Sequence, residues 1–289
     1  CYNSPFAQAV RPAKGNNAAN NTKWRVFMAK TTIKRTKITY SDRGQGDAIL
    51  FVHGFSLNKS MWKAQLASLS RHYRCIAPDL RGHGSSQGVP GTYTVDILAD
   101  DLKGLLNHLG IRRVTLVGFS MGGYVAFAFY RKYPGSVRSL VLADTRPQAD
   151  SPEAKQGRET TAQTVLREGG AGIAKSLAGR MLAPASVQQR PALVQSVQAI
   201  MTSTPVNGWV GDLRGLAARP DSMDTLAKIT CPTLILVGDQ DAVTPPADSR
   251  LMAEKIKKAK LVVIPQAGHL APMEQPRAFN KALREFLGS

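Results

Sequence analysis

From residue 33 onward, short apolar runs alternate with longer stretches in which apolar positions recur every three or four residues. The segment IKRTKITY (33–40) alternates polar and apolar positions as an edge strand does. By contrast, AILFVHG, CIAPD, VTLVG, SLVLAD, TLILVG and KLVVIP are apolar at successive positions, the pattern of strands covered on both faces. Between these runs the periodicity predicts helices at about 94–109, 120–133, 247–258 and 276–287. Strands apolar on both faces and joined by helices predict an α/β fold, a mostly parallel, doubly wound sheet covered on both sides. In such sheets, ligand sites form where the carboxyl ends of the strands meet the following loops.

Two intervals break the alternation. Residues 146–226 hold no strand pattern but several helical pieces interrupted by Gly and Pro, among them GIAKSLAGRML and RPALVQSVQAIM. That interval is too long for a connection and too apolar for a linker, so it is expected to be a helical cap, or lid, inserted between a core of residues 31–145 and 227–289. Residues 1–30 contain RPAKGNNAANNTK, polar and without period, and are expected to be a disordered extension. Met28 opens MAKTTIKRTKITY and reads as a natural start. The alternative is a lipoprotein-like segment anchored through Cys1. No internal repeat is visible.

Composition narrows the picture. With 289 residues and 43% hydrophobic content, the chain can bury a large core. No apolar run approaches the ~20 residues of a membrane-spanning helix, so no transmembrane segment is expected. The 38 basic and 20 acidic side chains give a formal charge of +18. The basic residues are scattered and accompany no nucleic-acid motif, so nucleic acid is not an expected partner. Cys1, Cys75 and Cys231 lack metal-site or CxxC spacing, which points to a reducing, cytoplasmic setting, with a periplasmic or lipid-anchored one as the alternative.

The chemistry starts from LVGFSMGGYVAF (116–127), where Gly118-Phe119-Ser120-Met121-Gly122 fits G-x-S-x-G between a strand and a helix. Glycines on either side allow a sharp turn that lifts the Ser120 hydroxyl above the sheet. A serine needs a base, and among the histidines only His269 follows it, in a loop after KLVVIP. The acid is expected between them, in the loop after TLILVG, where Asp241 is the candidate and Asp239 a turn residue. Asp144, after SLVLA, is a further carboxylate, read as capping the chain where it enters the cap. Backbone N–H groups of Met121, at the helix start, and Phe55, in FVHGF, are the candidate oxyanion donors. His53 precedes the serine and is expected to brace that loop. Phe55, Trp62, Met121, Trp209 and Leu270 are candidates for an acyl pocket or for ordinary packing.

HGF, PDLRGHGSS, GFSMGG, GDQDAVTP and AGH stand in the order and spacing of the α/β-hydrolase fold family, over residues 33–287, and the chain resembles that family. The resemblance implies Ser120 as nucleophile, Asp241 as acid, His269 as base and a cap at 146–226, with no metal or organic cofactor. It implies that Asp79, Arg81 and His83 stabilise their loop. Haloalkane dehalogenases and epoxide hydrolases of this fold use an aspartate where Ser120 stands. LADTR, the Ala-rich cap and ARPDS look most like carboxylesterases and 3-oxoadipate enol-lactonase-like hydrolases, whose substrates are small esters or lactones. Cofactor-free haloperoxidases or perhydrolases, carbon–carbon bond hydrolases and non-catalytic receptors share the scaffold and stay open, as does homo-oligomer formation.

Overall fold

Eight strands make one sheet in the order β1-β2-β4-β3-β5-β6-β7-β8. In this computed structural model, which describes residues 27–288, they are β1 (Phe27–Ile33), β2 (Thr36–Arg43), β3 (Ala48–Val52), β4 (Arg74–Pro78), β5 (Val114–Phe119), β6 (Val137–Ala143), β7 (Thr233–Gly238) and β8 (Ala259–Ile264). β2 pairs antiparallel with β1 and β4, and the other neighbours are parallel, as the apolar runs predict.

The helices of the sheet layers and the insertion are α1 (Lys63–Leu69), α2 (Val95–His108), α3 (Met121–Lys132), α4 (Pro152–Glu168), α5 (Ala171–Arg180), α6 (Pro184–Gln189), α7 (Pro191–Thr202), α8 (Val206–Ala217), α9 (Met223–Leu226), α10 (Pro246–Lys255), α11 (Ala271–Glu274) and α12 (Pro276–Leu287). Successive strand side chains point to opposite faces. Ile49 and Phe51 of β3 therefore pack with Leu66 of α1 and Phe279 of α12, while Leu50 and Val52 pack with Leu98 of α2, Val125 of α3 and Met252 of α10. Cys75 sits in the first of these layers, and burial pushes its thiol up to about 12, as suits an unreactive core residue.

Three elements differ from the sequence pattern. The segment 33–40 is not one edge strand: a turn at Lys34-Arg35, both at positive φ (44° and 69°), separates β1 from β2. Such two-residue hairpins favour Asn-Gly, so a Lys-Arg pair gives no turn signal. β1 also takes in 27–30, four residues whose composition places them in the N-terminal extension; residues 1–26 lie outside the described residues. α1 was not expected, because its seven residues display too little period. β8, read as a covered strand, is the sheet edge, with Val263 39% exposed.

Between β6 and β7 the chain forms α4 to α9 and no strand. Val165, Ala178, Val197 and Met201 of this insertion join the apolar cluster that holds Phe51 and Trp62, so the insertion shares one layer of the core. α8 packs against the loop that follows β4 and the turn before α2. A Cβ on Gly208, Gly211 or Gly215 would overlap Gly82 or Tyr93, and the Tyr93 N–H donates to the Gly211 carbonyl over 2.9 Å. Each glycine weakens the helix by about 1 kcal/mol relative to alanine, and close approach to the core is what it allows.

Candidate active site

Ser120 stands between β5 and α3 at φ 51° and ψ −115°, a conformation that costs a side-chain-bearing residue free energy. The surroundings fix it there. The Ser120 N–H donates to the Ala143 carbonyl over 2.9 Å, and its own carbonyl accepts from the Thr145 hydroxyl over 2.8 Å. Gly118 and Gly122 serve close packing: a Cβ on Gly118 would overlap the Gly122 carbonyl, and one on Gly122 the Val52 carbonyl of β3. The hydroxyl is thereby presented at the carboxyl ends of the strands.

His269, in the loop after β8, meets that hydroxyl. Its Nε2 lies 2.8 Å from Ser120 Oγ, and its Nδ1 lies 2.8 Å from Asp241 Oδ2. A carboxylate only accepts, so Nδ1 carries the proton and Nε2 is free to accept from the serine. Asp241 Oδ1 accepts from the N–H groups of Val243 (2.8 Å) and Thr244 (2.9 Å), and Oδ2 from the Thr244 hydroxyl (2.7 Å). Burial alone would favour its neutral form, but His269 and Thr244 outweigh it and hold the carboxyl below the usual range. The imidazole is 1% exposed and packs beside the Phe119 ring at 5.2 Å.

The other two carboxylates have different surroundings. Asp239 Oδ1 accepts from the Ala267 N–H at 3.2 Å, joining the loops after β7 and β8. Asp144, at φ 45°, accepts from the Gly238 N–H at 2.8 Å; it ties β6 to the end of β7 and does not cap the insertion. Burial, then the neighbouring charge of Asp241, push its carboxyl well above the usual range, and its Oδ2 has no hydrogen-bond partner among the described residues.

The candidate oxyanion donors lie on either side of the serine. Met121 begins α3, and Phe55 follows Gly54, which packs against Ser120 and Phe119. Among the described residues neither N–H is used in a hydrogen bond. His53 braces this loop as a neutral imidazole: Nδ1 donates to the Gly54 carbonyl at 2.8 Å and Nε2 accepts from the Leu80 N–H at 3.0 Å. Its burial, with His83 beside it, drives it well below its ordinary value. Asp79 accepts from the N–H groups of Lys59 and Ser85, Arg81 forks onto Asp101 at 2.6 and 2.7 Å, and His83 pairs with Asp212 of α8 at 3.0 Å.

Of the acyl-pocket candidates, Trp62 is fully buried among Phe51, Phe119 and Phe279 and is a core residue. Leu270 is likewise buried, while Trp209 of α8 stands edge-on to Phe55 at 5.1 Å. Glu274 was not foreseen: its carboxylate accepts from Gly268 and from Ala183 of the insertion, both at 2.8 Å, and so holds the His269 loop to α6. A buried carboxylate five residues beyond the AGH histidine was the available signal. Among the described residues, no three His, Cys, Asp or Glu side chains cluster as metal ligands.

Comparison with known proteins agrees with the fold. A family model described as the alpha/beta hydrolase fold matches residues 47–276. The chain is 32% identical over 259 residues to 3-oxoadipate enol-lactonase 2 of Acinetobacter baylyi, covering 89% of this chain and 95% of that protein. It is 31% identical to a non-heme chloroperoxidase of Kitasatospora aureofaciens, covering 89% and 98%. A solved thermophilic esterase from Thermogutta terrifontis, with malate bound, superposes with a TM-score of 0.88 at 44% identity, covering 90% and 97% of the two chains.

Proposed function

The chain belongs to the α/β-hydrolase family, and from that membership we propose that it is a serine hydrolase that cleaves small carboxylic esters or lactones through an acyl-enzyme. One observation carries the reading. Ser120, His269 and Asp241 form an unbroken run of two 2.8 Å contacts, with an acceptor nitrogen facing the hydroxyl.

The reaction follows from that arrangement. Ser120 Oγ attacks the acyl carbon as its proton passes to His269 Nε2, and Asp241 stabilises the resulting imidazolium without taking the proton. The carbonyl oxygen becomes an oxyanion between the Phe55 and Met121 N–H groups, each worth about 3 kcal/mol in the transition state. Collapse breaks the acyl–oxygen bond, and the leaving alkoxide takes the proton from Nε2. From a lactone that hydroxyl stays on the bound acyl group. Water then attacks by the same route, releasing a carboxylic acid and restoring Ser120.

Likeness to an enol-lactonase and to an esterase supports an ester or lactone as the substrate class. Likeness to a chloroperoxidase supports a second reading, in which hydrogen peroxide replaces water as the acyl acceptor and a peracid is released. The test is hydrolysis of short-chain p-nitrophenyl esters and a panel of lactones, with and without peroxide in acetate. Esters or lactones turned over well above buffer support the proposal, whereas peracid formation without hydrolysis selects the second reading. No turnover of any of them selects a non-catalytic receptor.

A further inference from the structure

Away from Ser120, two cavities meet along the seam between the sheet layers and the insertion. One, of about 550 Å³, is lined by Arg43, Lys59, Lys63 and the hydroxyls of Ser41, Ser60 and Ser85. The other, of about 530 Å³, is walled by Met61, Leu193, Ala199, Ile200 and Met273. Each falls in the size range of small-molecule sites.

The two share Ser60, Lys63 and Ala67 as their common rim. These three residues, spaced three to four apart, form a ridge along α1 and the turn before it, across which the two cavities adjoin. The same pair of elements forms both halves. α1 contributes Lys63 and Ala67 to each, while α7 and the residue capping it line them with Leu193, Ser196, Ala199 and Ser203, spaced three to four apart on one helical face. The groove is therefore cationic and hydroxyl-lined at one end and apolar at the other.

The charges at the cationic end are unequal. Asp79 takes up Lys59, since its buried carboxylate accepts from both the Lys59 side chain and its backbone N–H. Arg43 and Lys63 form no ion pair with a described residue. Among the described residues the buried Arg43 Nε has no hydrogen-bond partner, so no carboxylate there neutralises the guanidinium. The apolar end offers the opposite chemistry, because Leu193, Ile200 and Met273 are only partly buried and would lose further contact with water under an alkyl chain.

We infer that this groove binds a long-chain carboxylate, with its head on Arg43 and Lys63 and its tail along α7 and α11. A planar guanidinium with neighbouring hydroxyls matches a carboxylate, and charge complementarity sets the ligand's orientation. The site lies outside the residues proposed to react, so it does not depend on the hydrolase reading. α11 follows directly on His269 and Leu270, so the tail would lie against the segment that carries the imidazole loop.

The test is calorimetric titration of the Ser120→Ala protein with dodecanoate below its micelle threshold, so that turnover plays no part. Dodecanoate should bind, dodecanol and butyrate should bind at least about tenfold more weakly, and dodecyl phosphate should not exceed dodecanoate. Arg43→Glu with Lys63→Glu should weaken binding about tenfold or more by removing the head contacts, and Ala199→Trp should do the same by filling the tail path. Both variants should keep the parent's circular dichroism spectrum and urea unfolding midpoint, which shows that they fold. Dodecanoate affinity unchanged in both variants, or a preference for dodecanol or dodecyl phosphate, would overturn the assignment.

Discussion

Asp144 and Asp241 follow the neighbouring strands β6 and β7, and their surroundings drive the two carboxyls in opposite directions. Burial and the charge of Asp241 outweigh the single bond from Gly238 and shift Asp144 toward its neutral form, while His269 and Thr244 outweigh burial and shift Asp241 toward its ionised form. Asparagine therefore imitates the first and not the second. Asp241→Asn should lower kcat for a p-nitrophenyl ester by about 10⁴-fold, by favouring the wrong imidazole tautomer. Asp144→Asn should leave kcat near the parent value. A large loss from Asp144→Asn with none from Asp241→Asn would transfer the acid's role. At this scale the sequence was informative where chain order constrained it: Ser120, Asp241 and His269 are each flanked by a strand and arranged in order. Thr244 bonds the Asp241 carboxylate three residues away, and Glu274 bonds Gly268 and the distant Ala183; neither contact leaves a periodic trace, and for Glu274 only its place after the AGH histidine hinted at it.

At the scale of elements, α8 is held to the loop that follows β4 by a fully buried pair. His83 Nδ1 donates to the Arg81 carbonyl, and Nε2 lies 3.0 Å from Asp212 without hydrogen-bond alignment, so the pair attracts by charge when the imidazole is protonated, against a burial that also raises the Asp212 carboxyl. Burial opposes the imidazolium, but Asp212 and the Arg81 carbonyl outweigh it and hold His83 above its ordinary value. A raised folded value means that this stabilisation is fully present below about pH 6.5 and is lost as pH rises through the folded value. Asp212→Asn should therefore cost about 3–5 kcal/mol in urea unfolding at pH 6 and less at pH 9. A loss that is equal at both, or larger at pH 9, would mean that His83 is not the charged partner. Strands covered on both faces were legible because their apolar residues follow one another without alternation, and α2, α3, α10 and α12 because they run for at least ten residues. The Lys34-Arg35 hairpin and α1 were not, the first for want of a turn residue and the second for want of length.

For the molecule as a whole, the excess of 38 basic over 20 acidic side chains sets a long-range field that a substrate meets before any contact. Rates for an anionic ester such as monoethyl succinate should be steered by it, and kcat/KM should fall as ionic strength rises from about 0.01 M to about 1 M, where the Debye length shrinks roughly tenfold. A neutral ester should show no such fall, and equal salt dependence for the two would remove any role for net charge in capture. The long strand-free interval marks inserted helices before β7, but the seating of α8 depends on glycines and a buried ion pair whose partners lie far apart in the chain. The most direct measurement is the mass of the protein after exposure to a fluorophosphonate, with the modified peptide identified. A single phosphonyl adduct on Ser120 is expected, formed rapidly in the parent protein and at least about 10³-fold more slowly in His269→Ala. Ester turnover with Ser120 unmodified, or labelling that does not depend on His269, would contradict it.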